Sequence, residues 1–125
     1  MVRLLIVGLG GFLGTVFRFM LAEWVHKILN NPWYPYGTFA VNVLGCLLIG
    51  FFGGLAENKG LLGSQMRLFF LIGLLGGFTT FSAFSYETLA LFRDTQMLAA
   101  MLNIVLHIVL GIGAVFLGYQ ISNLI

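Results

Sequence analysis

Charge is what this chain most lacks. Asp, Glu, Lys and Arg make up 8% of its 125 residues, against about 25% in an ordinary soluble domain. Cysteine is nearly absent as well. The lone Cys46 excludes an internal disulfide framework and any cysteine-based zinc site. Proline occurs only as Pro32 and Pro35, three residues apart. The net charge of +2 arises from so few residues that it carries no signal for nucleic acid, and no such partner is expected. What fills the space is apolar: 60% of the residues are hydrophobic. That composition belongs to an integral membrane protein in a lipid bilayer.

The apolar residues divide into four spans of about Val2–Val25, Gly37–Ala56, Gln65–Leu91 and Met97–Ser122. A helix needs roughly 20 apolar residues to cross the hydrocarbon core, so each is long enough. Arg3 before an apolar run has the look of a signal peptide, but apolar segments continue along the chain and favour a first span. The first connection, HKILNNPWYPY, holds both prolines, which stop helices. Its Trp33, Tyr34 and Tyr36 suit a headgroup interface. ENKGLLGS is polar and punctuated by glycine, and Arg93, Asp94, Thr95 and Gln96 form a tight third turn. The expected fold is all-α, one domain of four transmembrane helices over residues 1–125.

Four spans put both termini on one side. Arg3, Lys59 and Arg67 lie near that side, Lys27 and Arg93 near the other. Three against two is barely the asymmetry that the positive-inside rule requires. Either a weak bias sets one orientation, or copies insert both ways and pair antiparallel. Gly10 and Gly14, Gly50 and Gly54, and Gly73 and Gly77 repeat at a spacing of four. Such pairs allow close helix packing, and an oligomer is expected.

Polar residues inside a membrane are costly and face a bundle interior or a water path. Asn103, His107 and Gly111 share one helix face. They are either glue between helices or part of a path. One histidine is not a metal site. Arg18 is permanently charged and reads as structural, with a secondary role in drawing anions toward a vestibule. Glu23 and Glu57 read as interfacial. Glu87 is close to the polar stretch or else a solvated end residue. Asn42 carries two N–H donors that either solvate an anion or bond a neighbouring backbone carbonyl.

The densest polar stretch is GGFTTFSAFS, residues 76–85. Gly76 and Gly77 each cost a continuing helix about 1 kcal/mol, and the Thr79 and Thr80 hydroxyls can bond backbone carbonyls. Two readings stay open here: a closely packed unbroken helix, or a break that frees carbonyls able to bind a cation. Phe78, Phe81 and Phe84 recur every three residues, a stripe that ordinarily means packing or lipid contact. Yet a phenyl edge is partially positive. With the Ser82 and Ser85 hydroxyls beside them, such edges suit a dehydrated anion that must bind and still leave.

GGFTTFSAFS followed by Glu87 resembles the signature of the Fluc/CrcB fluoride channel family. GGFLGTVFRF resembles the family's Gly-rich, Arg-bearing opening, and GTFAVNVLGCLLIG its second helix, with Asn42 at the family's Asn position. The resemblance covers the whole chain. It implies an antiparallel, dual-topology homodimer in the cell membrane, with the third helix broken near mid-membrane. It implies two pores and passive, selective export of cytoplasmic fluoride, with no catalysis. Phe81 and Phe84 match the aromatic pore positions and Asn42 the pore amide. Thr80, Ser82 and Ser85 fall in or near the polar track. The resemblance also implies one structural sodium ion at the dimer centre, not transported, on backbone carbonyls of Gly76 and Thr79. The fourth helix departs from the pattern: Gly111 offers no hydroxyl, so Asn103 and His107 take that role. Ala83 also lacks the hydroxyl some relatives carry there. Phe78 is left as packing.

Two other classes compete. A small four-helix proton-coupled antiporter of balanced charge needs a membrane carboxylate, for which the first span offers only Glu23 near its end. An anchor subunit without transport of its own needs no pathway.

Overall fold

The computed structural model describes residues 1–30 and 33–125. Helix α1 runs Val2–Ile28 and α2 Tyr36–Asn58. Of the two expected helix-stopping prolines, Pro35 is the N-cap of α2, and Pro32 lies outside the described residues. A third span, Ser64–Arg93, is assembled from pieces. The short α3 (Ser64–Arg67) leads into a π-helical segment, Leu68–Leu74, then α4 (Leu75–Phe78) and α5 (Phe81–Arg93). The final helix, α6, runs Met97–Leu124. The chain is all-helical, with four helices long and apolar enough to cross a membrane.

Small residues set how closely these helices approach. α6 runs along α2 in the most extensive pairing of the fold. Gly50 of α2 sits on the Val115 carbonyl, and Gly118 of α6 sits on the Leu47 carbonyl, so backbone meets backbone at both levels. α1 meets the third span in the same way. A Cβ on Gly10 would lie 2.9 Å from the Leu74 nitrogen, and one on Gly73 would lie 2.8 Å from the Val7 carbonyl oxygen. Contacts this close need glycine on at least one partner. The α5–α6 turn is tight: Thr95 takes φ 60° and the Gln96 N–H reaches back to the Leu91 carbonyl at 2.9 Å. Leu91, Ala99 and Ala100 form a small buried cluster beneath it.

Arg67 is committed to the second connection. Its guanidinium donates to the Ala56 carbonyl and, at 3.2 Å, to the Leu62 carbonyl. Ala56 lies in the last turn of α2, where carbonyls have no helical donor. Tyr34 departs from the headgroup role expected of it together with Trp33 and Tyr36. Trp33 is 62% exposed, whereas Tyr34 is 5% exposed. Its ring packs against Tyr36 and Phe39, and its hydroxyl finds a partner inside the bundle.

Candidate functional site

The helical path pauses after Phe78. Thr79 has φ −84° and ψ 155°, and Thr80 has φ −148° and ψ 114°; both are extended. Asn42 of α2 holds this point from across the bundle. Its Nδ2 donates to the Thr80 carbonyl at 3.0 Å, and its Oδ1 accepts the Thr80 N–H at 2.8 Å. The amide thereby pairs with one residue's backbone on both sides and still keeps a second N–H. Thr80 then caps α5, its Oγ1 accepting the Ala83 N–H at 3.1 Å.

These bonds divert two backbone donors. In a continuous helix the Thr80 N–H would serve the Gly76 carbonyl, and the Ala83 N–H would serve the Thr79 carbonyl. Both donors are spent on side chains instead. Gly76 lies exposed, and a Cβ there would meet nothing nearer than the Leu71 carbonyl oxygen at 4.0 Å.

A cavity of about 340 Å³ opens beside this point, walled by Asn42, Thr79, Thr80, Phe81, Phe84 and His107 among others. Among the described residues, no Asp, Glu, Lys or Arg lines it. Phe81 is 80% exposed, and its ring lies 5.6 Å from that of Phe84. Phe84 is half-buried and lies 4.5 Å, centroid to centroid, from the His107 imidazole. On the other side of Thr80 is a separate groove lined by Arg18, Thr38, Ser82 and Tyr86. Thr80 stands in both walls, whereas Ser85, Glu87 and Asn103, also named from sequence, line neither. Ser82 faces the Arg18 groove and pairs with the Thr80 hydroxyl at 3.2 Å. The Ser85 hydroxyl donates back to the Phe81 carbonyl at 2.9 Å.

Asn103 is fully buried and its amide is engaged on both sides. Oδ1 accepts from the Tyr34 hydroxyl at 2.9 Å, and Nδ2 donates to Thr88 Oγ1 at 2.8 Å. Burial pushes the Tyr34 phenol above its ordinary range, and neighbouring Tyr36 and Glu87 push the same way, so it stays a neutral donor. His107, one turn along from Asn103, and Gly111, one turn further, both line the cavity. Glu87 lies half-buried with Oε1 accepting from the Thr38 hydroxyl at 2.6 Å and Oε2 unpartnered. Tyr34, Thr38 and Thr88 carry no functional assignment from sequence. Each is linked to its partner only through the fold, Tyr34 across 69 residues.

A family model described as CrcB-like protein, Camphor Resistance (CrcB), matches residues 5–119. The chain belongs to the CrcB-like family. Relatives extend over nearly its whole length. A protein of Rhizobium etli is 40% identical over 123 residues, covering 98% of each chain. One of Methylobacillus flagellatus is 41% identical over 124 residues, covering 99% of this chain and 97% of the relative. One of Elusimicrobium minutum is 42% identical over 121 residues, covering 96% and 93%. All three are named fluoride-specific ion channel FluC. CrcB-like membership and four apolar helices make this a multi-pass membrane protein.

Proposed function

We propose that this chain is a fluoride-selective passive channel that exports cytoplasmic fluoride. The observation that carries the reading is the cavity around Asn42. It joins an amide N–H, hydroxyls and two phenyl rings in a wall without a full charge. Such donors replace part of an anion's hydration without holding it too tightly to leave. The printed names of the relatives point the same way. HF is a neutral weak acid that crosses membranes and dissociates in a less acidic cytoplasm, trapping the anion. A negative-inside potential drives fluoride out with about 2.3 kcal/mol per charge per 100 mV, so no pump is required.

The working unit in this reading is an antiparallel, dual-topology homodimer with two pores. The balanced basic residues favour it. So does Phe81, whose ring is left 80% exposed at the mouth of a cavity that a second copy would close. The pause at Thr79–Thr80 then lies near mid-membrane. The Gly76 and Thr79 carbonyls, deprived of their helical donors, fit a hard monovalent cation on backbone oxygen, and the exposed Gly76 leaves room for a copy's approach. Sodium bound there would supply a fixed positive charge joining two copies. Replacing sodium with a large organic cation is expected to lower the dimer fraction in detergent as well as the fluoride current. Unchanged assembly after thorough sodium removal would defeat that part.

The deciding experiment is fluoride efflux from liposomes made permeable to K⁺ with valinomycin. A charge-carrying efflux is expected, and its absence would sink the reading. Phe81→Ile is expected to slow efflux by about tenfold, equivalent to about 1.4 kcal/mol of barrier; a membrane anchor without transport would show no flux to change. Proton-coupled antiport has one observation in its favour, the half-buried Glu87 carboxylate with Oε2 unpartnered. It requires that a proton gradient drive uptake against a gradient, which a passive channel does not do.

A further inference from the structure

His107 lines the cavity with an imidazole, whose hydrogen-bonding character a proton can reverse. Its Nδ1 lies 2.9 Å from the Asn103 carbonyl oxygen. A carbonyl only accepts, so Nδ1 carries the hydrogen and Nε2 of the neutral ring presents a lone pair. That Nε2 is enclosed and has no partner. A lone pair repels an anion. Protonation makes Nε2 a second donor beside Nδ1–H and adds a positive charge beside Phe84, whose ring is 4.5 Å away, and Phe39, at 5.2 Å.

Resting on the fluoride reading above, we propose that the wall of the Asn42 cavity contains a proton-dependent anion site at His107. The site is weak when the imidazole is neutral and strong when it is charged. The titratable groups on the elements packed against α6 are few. Cys46 of α2 lines the same cavity. On α5, Glu87 has one oxygen spent on Thr38. Tyr34, from the connection between α1 and α2, donates to Asn103 and is neutral. His26 of α1 packs over Gly37, at the start of α2. Of these, Glu87 is the one carboxylate, and the hydrogen bond from Thr38 holds its Oε1 in place. Proton and fluoride then bind cooperatively, and the coupling is reciprocal: acid promotes fluoride occupancy, and fluoride increases the protonated fraction of His107.

The test uses currents through reconstituted protein at fixed free fluoride, since neutral HF carries none. Lowering pH from about 7.5 to about 4.5 extends well below the ordinary imidazole pKa of about 6.5. Wild-type current is expected to rise at least about threefold, and His107→Asn, which offers an N–H at every pH, is expected to lose that rise. Equal pH ratios in the two proteins overturn the site while leaving the channel reading intact. No current at either pH overturns both. Independently of any variant at His107, ¹⁵N-histidine spectra should show added fluoride, but not chloride, increasing protonation of one of the two histidines. His26→Gln assigns the signals. Fluoride without effect on His107 also overturns the proposal.

Discussion

Replacing Asn42 with alanine abolishes measurable fluoride current while leaving the four long helices in place: this is the largest functional effect expected of any single change. The side chain makes two bonds to Thr80, one to its carbonyl and one from its N–H. Alanine leaves both backbone groups unpaired, at about 1–3 kcal/mol each. Thr80 loses what holds its extended backbone, and with it the cap on the Ala83 N–H. The remaining Asn42 N–H disappears from the cavity wall as well. A fall of about a hundredfold in efflux corresponds to about 2.7 kcal/mol. Asn42→Asp separates two roles. It keeps an acceptor for the Thr80 N–H, removes the donors and sets a carboxylate in the cavity wall, so it should block flux with less damage to the fold. Efflux by Asn42→Ala within twofold of wild type, read in the same liposomes, would remove Asn42 from the pathway.

The second large effect concerns assembly of the chain. A Cβ on Gly118 would collide with the Leu47 carbonyl oxygen and lie 2.8 Å from the Phe51 nitrogen. These are backbone atoms of α2, so no side chain can swing aside. Gly118→Ala is expected to force α2 and α6 apart, costing about 1–3 kcal/mol or more as overpacking does. It should lower the thermal midpoint in detergent and broaden the size-exclusion peak. Gly113, on the same helix, has nothing within 4 Å of its would-be Cβ, so Gly113→Ala should melt like wild type. Equal midpoints for the two alanine variants would show that the α2–α6 approach tolerates a methyl.

The large features were legible because they are written in composition and short spacing. Hydropathy marks the helices, Pro35 marks the start of α2, and the four-residue glycine spacing marks faces of close helix approach. Asn42 shows the limit of such reasoning. From sequence, its amide either bonds a neighbouring carbonyl or offers donors to an anion. In the structure it bonds the Thr80 carbonyl and also lines the cavity, because one amide has donors for both. Asn103 and His107 share a helix face in the sequence, yet one turn of rise separates their surroundings. Asn103 is buried against Tyr34 and Thr88, and His107 reaches the cavity. No local pattern reports a partner 69 residues away. Tyr34 looked like its interfacial neighbours because an aromatic ring with a hydroxyl suits both settings; only the three-dimensional path of the connection decides between them.

The π-helical segment Leu68–Leu74 has a geometric consequence. Its exit bond joins the Leu75 N–H to the Phe70 carbonyl, five residues back, so the segment winds in one residue more than an α-helical turn would. One residue corresponds to about 100° of rotation. The segment therefore decouples length from angle along the third span. At one end Arg67 is aimed at the Ala56 carbonyl in the last turn of α2; at the other, Gly73 and Gly77 are aimed at α1. A uniform α-helix of the same composition could satisfy one of these bearings but would be turned away from the other.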